Sequence, residues 1–213
     1  MGDMAVTILL AVPYTLALTA LAFSLGAALG IPICALRLTK IPLLKPLVGA
    51  FILIVRSIPP LVWLFLIYFG LGSGVIQLNA FAAACIGLGL ITAVNMAEIY
   101  RGSLAAIHHG QWEASTALGM PRWNQLSEII APQLARISLP AAATYAIGLL
   151  KDSAVASAIG VPELAYAAYH ISQQTFRGLD VYAVVALIYI AMSLPIAWVS
   201  RTVDKKMRAR VAR

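Results

Sequence analysis

The chain has 213 residues, 62% of them apolar and only 11% charged, whereas soluble domains run at about 45–50% apolar and about 25% charged. A soluble enzyme or soluble binding module is thereby excluded, and an all-α integral membrane protein is expected. Fifteen Lys and Arg against eight Asp and Glu give a net charge of +7, but Arg201, Lys205, Lys206, Arg208, Arg210 and Arg213 follow directly on an uncharged apolar run, which marks a juxtamembrane tail and not a nucleic-acid-binding face.

Charge positions cut the sequence into about five apolar spans, 13–36, 46–69, 78–99, 129–151 and 181–200, each long enough at about 1.5 Å per residue to cross the hydrocarbon core. They form one transmembrane domain, residues 1–213, with only short connections. The first span lies in an uncharged run from Met4 to Leu36 behind Asp3, without the basic start and short apolar core of a secretory signal, so it is expected to be retained. The second carries Arg56 and the helix-breaking pair Pro59-Pro60. The third contains Gly87 and Gly89, which suit close helix packing, and then Asn95 and Glu98 near its inner end.

The connection from Tyr100 to Glu128 is too long for a simple turn and is expected to have structure of its own. Good helix formers run from Gly110 to Leu118, and Gly119 followed by Met120-Pro121 supplies a left-handed stop and a residue that cannot continue the helix. A short helix over about 110–119 follows. It has no Lys or Arg, one acid and the small residues Ala114, Ser115 and Ala117, so it is better suited to a protein partner than to an interfacial membrane site. The fourth span holds Pro140, which like Pro59 and Pro60 marks an expected helix break, and ends on Lys151-Asp152; the fifth runs into the basic tail.

Arg37, Lys40, Lys45, Arg101, Arg122 and the tail cations fall on one side of this arrangement. The uncharged loop Gly70-Leu71-Gly72-Ser73-Gly74 and the connection 161–180, with Arg177 alone among the cations, fall on the other. The positive-inside bias places the amino terminus outside and the carboxyl terminus in the cytoplasm. Cys34 and Cys85 both lie in apolar runs and read as small core residues, and the adjacent His108-His109 have no ligand at metal spacing, so no metal site is expected.

A charge at the bilayer centre costs about 2.5–3.5 kcal/mol on insertion scales, so it faces the bundle interior and has a partner. Arg56, Lys151 and Asp152 are therefore open to three roles: lining a substrate path, pairing across helices, or snorkelling from a span end. For Arg56 one structural role is donation to carbonyls freed at Pro59-Pro60; for Asp152 a path role would place a carboxylate opposite a substrate ammonium. Glu98 shares a helix face with Asn95 and lies three residues before Arg101, so it either makes an i,i+3 ion pair or joins Asn95 on the substrate side.

Written out, the loop reads Glu113-Ala114-Ser115, three residues, Gly119, nine residues, Ile129, one residue, Ala131-Pro132. This resembles the EAA motif of ABC importer permeases, E-A-A-x3-G-x9-I-x-L-P, with Ser115 and Ala131 as its two departures. The resemblance extends to the polar amino-acid uptake permeases through Arg56-Ser57-Ile58-Pro59-Pro60-Leu61, Glu98-Ile99-Tyr100-Arg101-Gly102, Gly110-Gln111-Trp112-Glu113-Ala114 and Lys151-Asp152-Ser153-Ala154, in that order. The first departs from R-G-T-P-L-L, and the last lacks the Thr-Ser pair of K-D-T-S-L.

The resemblance implies the type I importer permease fold in a bacterial inner membrane. It further implies a second permease subunit, identical or related, a dimer of cytoplasmic ATP-binding subunits, an external solute-binding protein, and polar amino acids or related small zwitterions as cargo. ATP and Mg would be bound by the partner ATPase and no cofactor by this chain, which has no G-x4-G-K-[ST] phosphate loop. The short helix is then the coupling helix: Trp112 and Leu118 as anchors, Glu113 as polar contact, Gly119 as turn, with Gln111, Ala114 and Ser115 in the docking element. A stand-alone ion-coupled secondary transporter would need an internal repeat with matched broken helices. An intramembrane enzyme would need a nucleophile or metal constellation. The sequence offers neither.

Overall fold

The computed structural model describes residues 2–71 and 77–209, with side chains described over 5–71 and 77–202. Gly72, Ser73 and Gly74 of the expected loop, Arg210 and Arg213, and the side chains of Lys205, Lys206 and Arg208 lie outside that description. The described chain is helical throughout: α1 (Gly2–Arg37), α2 (Leu44–Ser57), α3 (Pro60–Phe65) continuing as a π-helical segment (Leu66–Leu71), α4 (Ala80–Ala105) and α5 (His109–Ala117). Then come α6 (Arg122–Asn124), a π-helical segment (Gln125–Ile130), α7 (Ala131–Asp152) with a 3-10 extension (Ser153–Ile159), α8 (Leu164–Thr175) and α9 (Gly178–Ala209).

Three of these, α1, α4 and α9, are long and apolar enough to cross a membrane, and the α2–α3 pair makes a fourth if counted as one broken span. The expected span 46–69 is interrupted at the helix-breaking pair Pro59-Pro60, and its two halves are bent by 99°. The break has a local cause: Ile58 precedes a proline and is extended, with φ −92° and ψ 129°, and Pro60 starts the next helix at its first position, where a missing N–H costs nothing. Val55 loses its i+4 donor at Pro59, and the Trp63 indole N–H donates to that carbonyl at 3.0 Å. Trp63, not Arg56, thus fills the vacancy that the break creates. Pro140, also expected as a break, is carried inside α7 without interruption. At 22 residues α7 is long enough to span, though Arg136, Lys151 and Asp152 make it more polar than the other three.

The central contact is α1 on α4. Gly26 and Gly30, one turn apart on α1, lie against Thr92, Ala93, Met96 and Ala97: a Cβ at Gly26 would stand 2.9 Å from the Ala93 amide nitrogen, and one at Gly30 would stand 2.8 Å from the Met96 Cβ. Small residues at this spacing let two backbones approach within packing distance that lipid tails cannot match. Gly87 and Gly89 play the expected part on other faces of α4, against Leu64 and Leu25. Buried Leu18, Ala22, Leu64, Ala84, Leu88, Leu149 and Ile159 make a core shared by α1, α3, α4, α7 and the 3-10 extension.

The connection 161–180, expected as an external loop, contains α8. Leu164, Ala167, Ala168 and Ile171 repeat at helical spacing and pack on Ile8, Ala11, Val181 and Val185 of α1 and α9. Its N-cap is Glu163, fully buried, which accepts from the Tyr166 amide at 2.8 Å and from the Tyr189 hydroxyl at 3.0 Å. Burial pushes this carboxyl above the ordinary carboxylate range, against the lowering effect of those hydrogen bonds.

Candidate functional site: a loop helix and a membrane cleft

The loop helix α5 is built by its ends. His108 caps the start, its Nδ1 accepting from the Gly110 amide at 3.1 Å. At the other end the Gly119 amide donates to Thr116 O at 3.0 Å and the Met120 amide to Ser115 O at 3.1 Å, with Gly119 at φ +69°. These two bonds form a Schellman stop, which satisfies carbonyls the helix leaves open and needs a residue at ease with positive φ.

Side-chain placement sorts the seven loop residues. Glu113, Ala114 and Leu118 are exposed, Leu118 at 79%, and Glu113 Oε1 meets His109 Nδ1 at 3.0 Å. Ser115 is buried and its hydroxyl donates to Trp112 O, so the small third position of the motif is the one that packs inward. Trp112 is half-buried and turned toward its own bundle, where it lines an apolar cavity of about 990 Å³ together with Leu104, Leu126, Ile130 and Leu134. Gln111 is exposed and accepts from Gln133 Nε2 of α7 at 3.1 Å. Gln125, which sequence reasoning does not single out, is buried and donates to Met120 O at 2.8 Å.

Three of the five depth residues come together. Arg56, Asn95 and Glu98 line a cleft of about 540 Å³ with Ile99, Ala141, Thr144 and Tyr145, between α2, α4 and α7. Glu98 is held by Arg101, whose Nη2 donates to Oε2 at 2.7 Å and whose Nε donates to Oε1 at 3.2 Å and Oε2 at 3.0 Å, and has Arg37 at 4.0 Å, so the i,i+3 pair is present although the carboxylate also lines the cleft. Asn95 Nδ2 donates to Ile91 O at 2.8 Å, and its amide lies within hydrogen-bonding reach of the Tyr145 hydroxyl. Arg56 joins no ion pair among the described residues.

Lys151 and Asp152 do not line the cleft. Asp152 nonetheless lies seven residues beyond Tyr145, two turns along the same helix face, and Tyr145 is within electrostatic reach of both Asp152 and Arg56. Lys151 and Asp152 are both exposed, and neither forms an ion pair with another helix among the described residues. Thr144 and Tyr145 were missed in the sequence, where a Thr-Tyr pair inside an apolar span and its i,i+7 relation to Asp152 were the available signal.

The described residues thus form a helical membrane domain with a polar cleft and an exposed, capped loop helix. Residues 26–209 match the family described as the binding-protein-dependent transport system inner membrane component, and the chain belongs to that family. It is similar to the probable amino-acid ABC transporter permease protein YckA of Bacillus subtilis (strain 168), 36% identical over 91% of this chain and 85% of that protein. It is also similar to the arginine ABC transporter permease protein ArtQ of Haemophilus influenzae, 34% identical over 79% of this chain and 77% of that one. The fold superposes on an amino acid ABC transporter crystallised with histidines at a TM-score of 0.88, with 31% identity, over 97% of this chain and 96% of that chain. Inward-facing MetNI methionine ABC transporter shares the fold at a TM-score of 0.81 and 23% identity. The protein is thus the permease subunit of an ABC importer, a multi-pass inner-membrane component whose family works with an ATPase and a solute-binding protein.

Proposed function

We propose that this permease, a single transmembrane domain over 1–213, moves amino acids or related small zwitterions inward through the cleft between α2, α4 and α7, with its amino terminus outside and its carboxyl terminus in the cytoplasm. The observation that carries the cargo class is the pair of opposite charges without ion-pair partners among the described residues, Arg56 and Asp152, both in electrostatic reach of Tyr145. Arg56 meets the substrate carboxylate in the cleft, where Asn95, Thr144 and Tyr145 supply neutral hydrogen bonds, and Asp152, two turns further along the Tyr145 face of α7, offers a carboxylate to the ammonium group along the path. Glu98, already engaged by Arg101, shapes the cleft electrostatically. Relatives named for amino acids and arginine support the same class.

Two permease subunits, identical or related, rest their α5 helices on two ATP-binding subunits, which bind the ATP and Mg that this chain does not; Glu113, Ala114 and Leu118 form the docked face and Gly119 its turn. Closure of the ATPases on ATP carries α5 with it and biases the membrane domain between inward-open and outward-open states. Affinity purification in mild detergent tests the assembly. An ATP-binding subunit recovered with the wild-type chain and lost when Glu113 and Gly119 are replaced is the expected result; recovery unaffected by both replacements would refute the assignment of α5.

A further inference from the structure

We infer that Gln125, Gln111 and Gln133 lock α5 to α7 at both of its ends, so that the two helices move as one body and the displacement of α5 is delivered to the cleft through α7 and not through α4; this rests on reading α5 as the ATPase-docking helix. Near the start of α5, Gln111 Oε1 accepts from Gln133 Nε2 at 3.1 Å, while Gln133 also donates to Ile129 O at 2.9 Å, which fixes it to the helix that bears it. Beyond the end of α5, buried Gln125 donates to Met120 O at 2.8 Å and reaches Thr116 Oγ1 at 3.5 Å. A helix held at one point can pivot. Held at two, it can only carry its neighbour along.

The π-helical segment Gln125–Ile130 makes the second attachment work. Its two buried residues, Gln125 and Ile130, are five apart. An α-helix would turn them about 140° away from each other at its 100° per residue, whereas the wider π turn brings them toward one face. Gln125 is thereby aimed at the α5 stop while Ile130 packs in the bundle. The helix α5 packs on this segment, and its link to α4 is the short connection Ala106–His108. From the segment α7 runs directly to Thr144 and Tyr145 in the cleft and ends at Asp152. Gln125 and Gln133 are therefore positioning residues for coupling: they touch neither the cargo nor the nucleotide.

The complex with its ATP-binding subunits, reconstituted in proteoliposomes, provides the test, with uptake and ATP hydrolysis measured on the same vesicles. Gln125→Met and Gln133→Met keep side-chain length and remove the donor. The expected result is continued recovery of the ATPase with solute moved per ATP lowered about fivefold or more, the lower bound of ordinary coupling energies; an unchanged ratio overturns the inference. A residue that merely stabilised the fold would lower yield and leave that ratio alone. Should either variant fail to fold, Gln111→Cys with Gln133→Cys, in a chain carrying Cys34→Ala and Cys85→Ala, asks the same question. Reduced, the cysteine pair lacks the lock and should show the lowered solute moved per ATP; bridging it with a reducible cross-linker should raise that ratio if α5 and α7 move together. A ratio unchanged or lowered by bridging means they separate during the cycle, which overturns the inference. Failure of the underlying reading looks different: the wild-type chain would then recover no ATPase at all.

Discussion

The Tyr145 hydroxyl donates to Thr92 Oγ1 at 3.3 Å, and Thr92 is the residue against which Gly26 of α1 packs. Tight packing on one face of α4 and an open cleft on the other thus meet at a single side chain, whose own hydroxyl is anchored to Leu88 O at 2.7 Å. The α1–α4 pair is a rigid wall, and α7 is the wall that stands across the cleft from it.

Gly30→Leu should disrupt that wall. Its Cβ would fall 2.8 Å from the Met96 Cβ and 3.1 Å from the Ala93 carbonyl oxygen and Ala97 nitrogen, and backbone cannot retreat as a flexible side chain can. Overpacking of this kind costs about 1–3 kcal/mol or more, so thermal unfolding of the purified protein should move to lower temperature. Gly102→Ala, where an added Cβ meets nothing within 4 Å, should leave it in place.

Gly119→Val should uncouple the transporter without unfolding it. No atom lies within 4 Å of an added Cβ, so the penalty comes from φ +69° alone. The left-handed region costs an L residue about 1–2 kcal/mol and more when it is β-branched, enough to displace a Schellman stop on an exposed helix. Membrane yield at wild-type level with reduced co-purification of the ATPase is the expected outcome. Gly119→Asn, a better tenant of positive φ, should recover most of it.

Arg56→Gln and Asp152→Asn should each raise the KM for a zwitterionic solute while leaving assembly intact. A charge-assisted hydrogen bond is worth about 1.5–3 kcal/mol, so about tenfold or more is expected in uptake assays. Loss of the assembled complex in either variant would instead assign that charge to a structural role.

Glu163 gives the folded protein a pH dependence of definite sign. Its carboxyl is raised by burial, so the stability linked to it is fully present below the unfolded value of about 4.3 and is lost as pH rises through the higher folded value. Thermal unfolding across that range should show this decline. Glu163→Gln should flatten it, since an amide can still accept from Tyr166 N–H without carrying charge.

Much of this architecture is legible in the sequence because membrane burial and charge are coarse signals. The apolar runs locate α1, α4 and α9, and the Gly119-Met120-Pro121 stop appears where glycine and proline chemistry put it. The 99° bend at Pro59 was half legible: a break could be foreseen, but neither its angle nor the Trp63 donation to Val55 O that accompanies it is written in the sequence. Pro140 misled in the other direction, because α7 continues through it without a break. Reading spans from charge alone hid α8, whose Leu164, Ala167, Ala168 and Ile171 spacing is plain once short helices are sought. The cleft brought Arg56 of α2 to Asn95 and Glu98 of α4, but Tyr145 and Gln125 acquire their roles only from the three-dimensional meeting of α4, α5 and α7.

The most direct test of the central claim is uptake of a radiolabelled amino acid into proteoliposomes that hold this permease with its partner subunits, the solute-binding protein being supplied outside and ATP inside. Accumulation that requires the ATP-binding subunit and internal ATP, and that ceases when either is withheld, is the predicted result. Uptake that continues without ATP or its ATPase would contradict the account and identify an ion-coupled carrier instead.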